Sequence, residues 1–160
     1  MCRRASYENN LSDTVYRLQD KGIHVLLSSV PVNLRDSAPF SSQHPPELSD
    51  DALNTLNRQH QYSAARFKDQ RFQDAVNALN AAKAIAPNYA DTHYQLGIAF
   101  EQLGQNAESA KHFQQALDLD TLRFRADTQI NARNRRVAER VNERHLNSRD
   151  DEEPFQSGHH

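Results

Sequence analysis

The chain has 160 residues, 37% of them apolar, and a formal net charge of −2, enough for one ordinary domain or two small units with a buried core. Its four glycines (Gly22, Gly97, Gly104, Gly158) are too scattered for a phosphate-cradling loop, and their scarcity points to a mostly helical chain. The lone Cys2 excludes an internal disulfide framework and a Cys-based zinc site, and no apolar run approaches the roughly 20 residues a membrane span needs. The expectation is a cytoplasmic protein without cofactor or metal, and without nucleic-acid or membrane partners.

Residues 7–21 predict an amphipathic helix, with Leu11, Val15 and Leu18 on one face and Lys21-Gly22 as its C-terminal stop. The run Ile23-His24-Val25-Leu26-Leu27-Ser28-Ser29-Val30, bounded by Gly22 and Pro31, has the pattern of a strand covered on both faces. No other segment reads as a convincing strand. A lone buried strand leaves backbone groups unpaired at about 1–3 kcal/mol each, so its sheet partners are expected outside these residues. Helix, tight turn and apolar strand make half of a βαβ crossover.

Residues 31–50 carry Pro31, Pro39, Pro45 and Pro46 and predict an irregular connection, closed by the N-cap cluster Ser49-Asp50-Asp51. Within it, Asn33, Arg35 and Asp36 could line a ligand site at a strand end. An Arg–Asp pair pinning a proline-rich loop is the reading preferred here, and no catalytic role is assigned.

From residue 50 to 123 the pattern is helical and repeats with an offset of 34. Residues 56–89 lie over 90–123, pairing Gln61 with Gln95, Ala65 with Ala99 and Ala82 with Ala116. A 34-residue period with two helices per unit is the arithmetic of a tetratricopeptide array. The second unit resembles that family's consensus in Leu96-Gly97, Phe100, Gly104, Ser109, Phe113 and Ala116. The first keeps Phe72, Ala75, Leu79, Ala82 and Pro87 but has Gln70 where the turn glycine sits and Gln59 for the usual aromatic.

Residues 124–145 predict one more helix, with Ile130, Val137 and Val141 on one stripe. It would cap the array's open apolar end. Its six arginines (Arg125, Arg133, Arg135, Arg136, Arg140, Arg144) read as a solvated face rather than a nucleic-acid surface. From 147 to 160 the acidic tail reads as disordered, and His159-His160 make a poor metal site.

A wider resemblance joins the ends. The stretch Gly22–Asp36, followed by Ala38-Pro39-Phe40, looks like part of SGNH/GDSL-type hydrolases that carry an inserted tetratricopeptide array. Leu122-Arg123-Phe124-Arg125-Ala126-Asp127 and Ile130-Asn131 resemble the segment that follows the array there. The resemblance covers roughly residues 7–140 and implies an α/β sheet outside this chain. The family's Gly-Asp-Ser nucleophile block and Asp-x-x-His pair are absent from the sequence. Asn142-Glu143-Arg144-His145 and the acidic tail stand where the family's continuation is expected, as a truncation or frameshift would leave it. Ser28 and Ser29 lack a nucleophile elbow, so no catalytic residue is expected.

The fold expected is therefore mostly α: two tetratricopeptide repeats with a capping helix over 124–146, preceded at 1–48 by a helix–strand unit of an incomplete SGNH-like sheet. The function expected is a non-catalytic protein-interaction module, with an esterase fragment as the alternative. Its partner would be a protein, a peptide or the rest of a hydrolase domain. The candidate binding face is the inner face of each repeat's first helix: Asn57, His60, Ala64, Phe67 and Lys68, then Asp91, Tyr94, Gln95, Ile98, Glu101 and Gln102. His60 and Ala64 replace two residues of the basic clamp that chaperone-binding relatives use for a terminal carboxylate, so chaperone tails are not the expected ligand.

Overall fold

The structure, a computed structural model, describes residues 3–150, with side chains from Tyr7 to Glu143. Among the described residues there are six helices and no strand: α1 (Arg3–Gln19), α2 (Asp50–Lys68), α3 (Phe72–Ile85), α4 (Ala90–Gln102), α5 (Asn106–Leu119) and α6 (Thr128–Asp150). They fall into two units, one holding α1 and α6 and the other, Pro31–Thr128, holding α2 to α5.

In the larger unit, α2 begins where the cap cluster stands. Ser49 Oγ accepts the N–H of Ala52 at 3.3 Å, and Asp50 and Asp51 face the positive end of the helix dipole. Its C-terminus is closed by two backbone bonds, Arg71 N–H to Arg66 O at 2.8 Å and Gln70 N–H to Phe67 O at 3.1 Å. The same pair closes α4 one period later, Gln105 N–H to Phe100 O and Gly104 N–H to Glu101 O, both 2.9 Å. Gly104 takes this left-handed turn at φ 72°, while Gln70 takes it at φ 57° with a Cβ, a strain of about 1 kcal/mol.

The hairpins α2–α3 and α4–α5 stack through Val76, Leu79, Leu96 and Ala99, flanked by Phe67, Phe100 and Leu103. A second cluster joins Leu56, Ala82 and Ala86 to Leu48, Leu53, Ile85 and Tyr89. Close approach of α4 and α5 depends on Gly97, whose missing Cβ would lie 2.7–2.9 Å from the Phe113 ring. Ser109 Oγ, small and buried, donates to Gly97 O at 2.8 Å in the same crossing.

In the smaller unit the apolar stripes of α1 and α6 meet: Val15, Val137 and Val141 are buried, with Leu11, Tyr16, Val25 and Leu27 packed around them. The stripe expected on the last helix is thus the face that packs on α1. Glu8 is held below the usual carboxylate range, chiefly by its 2.6 Å bond from Arg136, with Arg133 at 3.4 Å adding to the effect. Gly22 ends the first helical stretch at φ 73°, as its position after Lys21 led us to expect.

The expected strand is corrected. Residues 23–30 form no ladder, since the described residues offer no second strand for them to pair with. Val25 and Leu27 turn toward the helices and Leu26 is 93% exposed. At Val30 the Asn131 amide substitutes for a neighbouring strand, accepting from Val30 N–H at 2.9 Å and donating to Val30 O at 3.0 Å. Of the expected tail, residues 147–150 continue α6, and residues 151–160, with His159-His160, lie outside the described residues.

Candidate protein-binding face

Helices α2 and α4 begin the two 34-residue units, so positions 34 apart stand at matching heights on the two helices. A polar network joins them. His60 Nε2 lies 2.9 Å from Thr92 Oγ1, Ser63 Oγ donates to His60 O at 2.8 Å and to Gln95 Oε1 at 3.2 Å, and Gln95 Nε2 donates to Asp91 at 2.6 Å. Partial burial lowers the pKa of His60, and Asp91, 3.8 Å away, works against that shift. His60, Asp91 and Gln95 are thus brought together, and their polar groups are largely engaged in holding α2 to α4.

The other expected face residues divide by exposure. Asn57, Ala64, Lys68 and Gln102 are exposed, Ile98 is half-buried, and Phe67 is drawn into the core against Phe72, with ring centroids 6.0 Å apart. Phe67 is a packing residue on this geometry. Tyr94 leans on the Phe113 ring, centroids 5.6 Å apart, which sets its hydroxyl outward.

The partner of that hydroxyl lies far away in sequence. Tyr94 Oη donates to Arg35 O at 2.8 Å, and Arg35 Nε donates to both Glu101 oxygens at 2.7 and 3.0 Å. Arg35 Nη1 also reaches Asp36 at 2.7 Å, so the expected Arg–Asp pair forms, and Asn33 Oδ1 accepts Asp36 N–H at 2.9 Å. Asn33 and Arg35 hold Asp36 below the usual carboxylate range, and Glu101 with Asp36 raises Arg35.

Further along, the N–H of Asp91 at the start of α4 donates to Ser42 Oγ at 2.8 Å. Asp120, just past α5, accepts from Phe40 N–H, Ser41 N–H, Leu122 N–H and the Arg125 guanidinium at 2.9–3.2 Å. Burial opposes its ionisation, but these donors hold the Asp120 carboxyl below its ordinary value. Arg125 also donates to Ser37 O at 2.7 Å, and Thr121 N–H to Ser41 O at 3.1 Å. Residues 33–42 are therefore a strap laid on the second repeat, touching Asp91, Tyr94 and Glu101 of the expected face.

Sequence reasoning missed the strap's seat, because nothing local marks Arg35 as the partner of Glu101. Of the arginines expected on a solvated face, Arg135, Arg136 and Arg140 are exposed, whereas Arg125 and Arg133 are largely shielded and paired. Ser28 Oγ donates to Ser29 O at 2.9 Å. No group of three or more metal-ligating side chains occurs among the described residues, and none of their helices is long and apolar enough to cross a membrane.

Two family models match this region, one described as TPR repeat over residues 64–104 and one as Tetratricopeptide repeat over residues 90–121. No curated protein and no solved structure matches the chain significantly. The matches follow the gradient read in the residues: the second repeat is covered nearly whole, and the first only from the middle of α2. The stacked hairpins α2–α3 and α4–α5 resemble a tetratricopeptide-repeat array, which the two family models match over residues 64–121.

Proposed function

We propose that the chain is a protein-interaction module whose array binds an extended peptide along the inner faces of α2 and α4. One observation carries the reading: α4 already holds an irregular segment, residues 33–42, bent at 34–37, through Tyr94, Glu101 and the N–H of Asp91. A hydroxyl aimed at a backbone carbonyl is a contact any peptide can make, and the helix-start N–H takes a serine side chain beside it. On α2 the exposed Asn57, Ala64 and Lys68 continue the surface beside His60, and on α4 Ile98 and Gln102 complete it. The test is selection of a random dodecapeptide display library on the full chain. Enriched peptides should lose at least tenfold in affinity for an Asn57→Ala/Lys68→Ala/Gln102→Ala variant. No enrichment, or equal binding to the variant, overturns the reading.

A second reading concerns α1, residues 22–30 and α6. We propose that they are one layer of a larger α/β domain of the SGNH/GDSL hydrolase type, an esterase whose nucleophile and histidine lie outside these residues. Its support is the one-sided packing of residues 23–30, with Val25 and Leu27 against the helices and Leu26 93% exposed. Translation of the flanking DNA in all frames tests it. Gly-Asp-Ser upstream and Asp-x-x-His downstream are expected, and their absence on both sides sinks it.

A further inference from the structure

We propose that Tyr94 and Glu101 form a guanidinium seat for an arginine-bearing segment of a protein partner, which the chain's own Arg35 closes in cis. The proposal rests on the peptide-binding reading above and names the chemistry of its ligand. Glu101 meets Arg35 Nε with both carboxylate oxygens, and Tyr94 Oη takes the carbonyl of the same residue. Together they read a side chain and a backbone group of a single arginine. The guanidinium divides its donors, Nε to Glu101 and Nη1 to Asp36, two directed contacts that a lysine would have to make from one nitrogen. Tyr94 is set by Phe113 beneath it, so the seat persists without its occupant.

The strap is fixed at one end and loose at the other. Residues 37–42 are held by the buried carboxylate of Asp120, by Arg125 and by Thr121 N–H. Around Arg35 the side chains are open to water, 58% exposed at Arg35 and 62% at Asp36. Exposed ion pairs contribute little to stability, because water competes for both charges. The 33–36 end can therefore leave while residues 37–42 remain tied down. A partner's arginine then competes with a tethered one, and the tether sets how strongly the seat is screened.

The experiment uses the full chain and a fluorescent peptide spanning residues 31–44. Arg35→Ala empties the seat and should bind this peptide at least tenfold more tightly than the unmodified chain. Adding Glu101→Gln should return binding to the weak level, as should a peptide with alanine at its arginine. Equal binding by the unmodified and Arg35→Ala chains, or no effect of Glu101→Gln, overturns the proposal. If Arg35→Ala does not fold, tryptic cleavage after Arg35 decides. Glu101→Gln alone should speed it at least fivefold relative to cleavage after Lys21, and an unchanged ratio overturns the cis closure. Library peptides that need Asn57 and Lys68, in a chain whose Glu101→Gln variant shows no effect, would leave peptide binding standing and remove the seat.

Discussion

His112 is 4% exposed and sits between two aromatic neighbours, stacked on Phe100 and tilted against His93. His93 Nε2 lies 2.8 Å from Pro87 O, so that nitrogen carries the hydrogen and Nδ1 must accept. The 3.0 Å contact between the two Nδ1 atoms then requires His112 to donate. Burial, with His93 and Lys83 adding to it, pushes His112 down to about 4 from an unfolded value near 6.5. Between these values the unfolded chain binds a proton that the folded chain refuses. This contribution is complete above about pH 6.5 and is lost as pH falls toward 4, at up to about 1.4 kcal/mol per unit. The charges facing the ring are Lys83, Lys111 and Glu108, and the two lysines reinforce the effect. Urea unfolding from pH 7 to 4 should show His112→Asn, which keeps a donor for His93, losing stability less steeply on acidification than the unmodified chain. Parallel slopes would remove His112 as the cause. Nothing local in the sequence marks His112, which faces His93 from another helix.

The hairpins are where sequence and structure agree most closely, and the agreement has a physical source. A 34-residue period is imposed by contacts that recur between neighbouring helices, so turn, small residue and ring reappear at fixed spacing. Gly97 shows how firmly one such position is held. Its Cβ would stand 2.7–2.9 Å from three atoms of the Phe113 ring, so Gly97→Ala must displace a buried side chain. We expect a loss of about 1–3 kcal/mol by urea unfolding, despite alanine's better helix propensity. In a Phe113→Leu background the cost of Gly97→Ala should shrink, and additive effects would place the strain elsewhere. Residues 23–30 teach the opposite lesson. A strand is a property of two segments, and an apolar, β-branched run supplies only one of them. Asn131 at Val30 provides the hydrogen bonds that a second backbone would have made. The strap failed to show in the sequence for a related reason: Arg35 and Glu101 are far apart and belong to no common period.

For the larger unit, the question is how two repeats persist when arrays of this type are generally stable from three. Leu48 and Leu53 extend the Leu56 cluster beyond the first repeat, and the strap covers the second. Much of the strap's hold converges on one residue. Asp120 is 3% exposed and receives two strap N–H groups, Leu122 N–H and the Arg125 guanidinium. Asp120→Ala would orphan those N–H groups and leave Arg125, whose side chain is 14% exposed, without its carboxylate. Removing one partner of such a pair costs about 3–5 kcal/mol, so this change should undo most of the unit's stability. Arg35→Ala breaks only an exposed pair and should cost about 1 kcal/mol or less. Because caps, core clusters and strap contacts all lie within Pro31–Thr128, a chain cut to those residues should fold and melt cooperatively on its own. Circular dichroism of that fragment and its two variants decides the matter. If the strap is the missing third layer, Asp120→Ala melts far below Arg35→Ala. Coincident melting curves would mean that the two repeats stand without it.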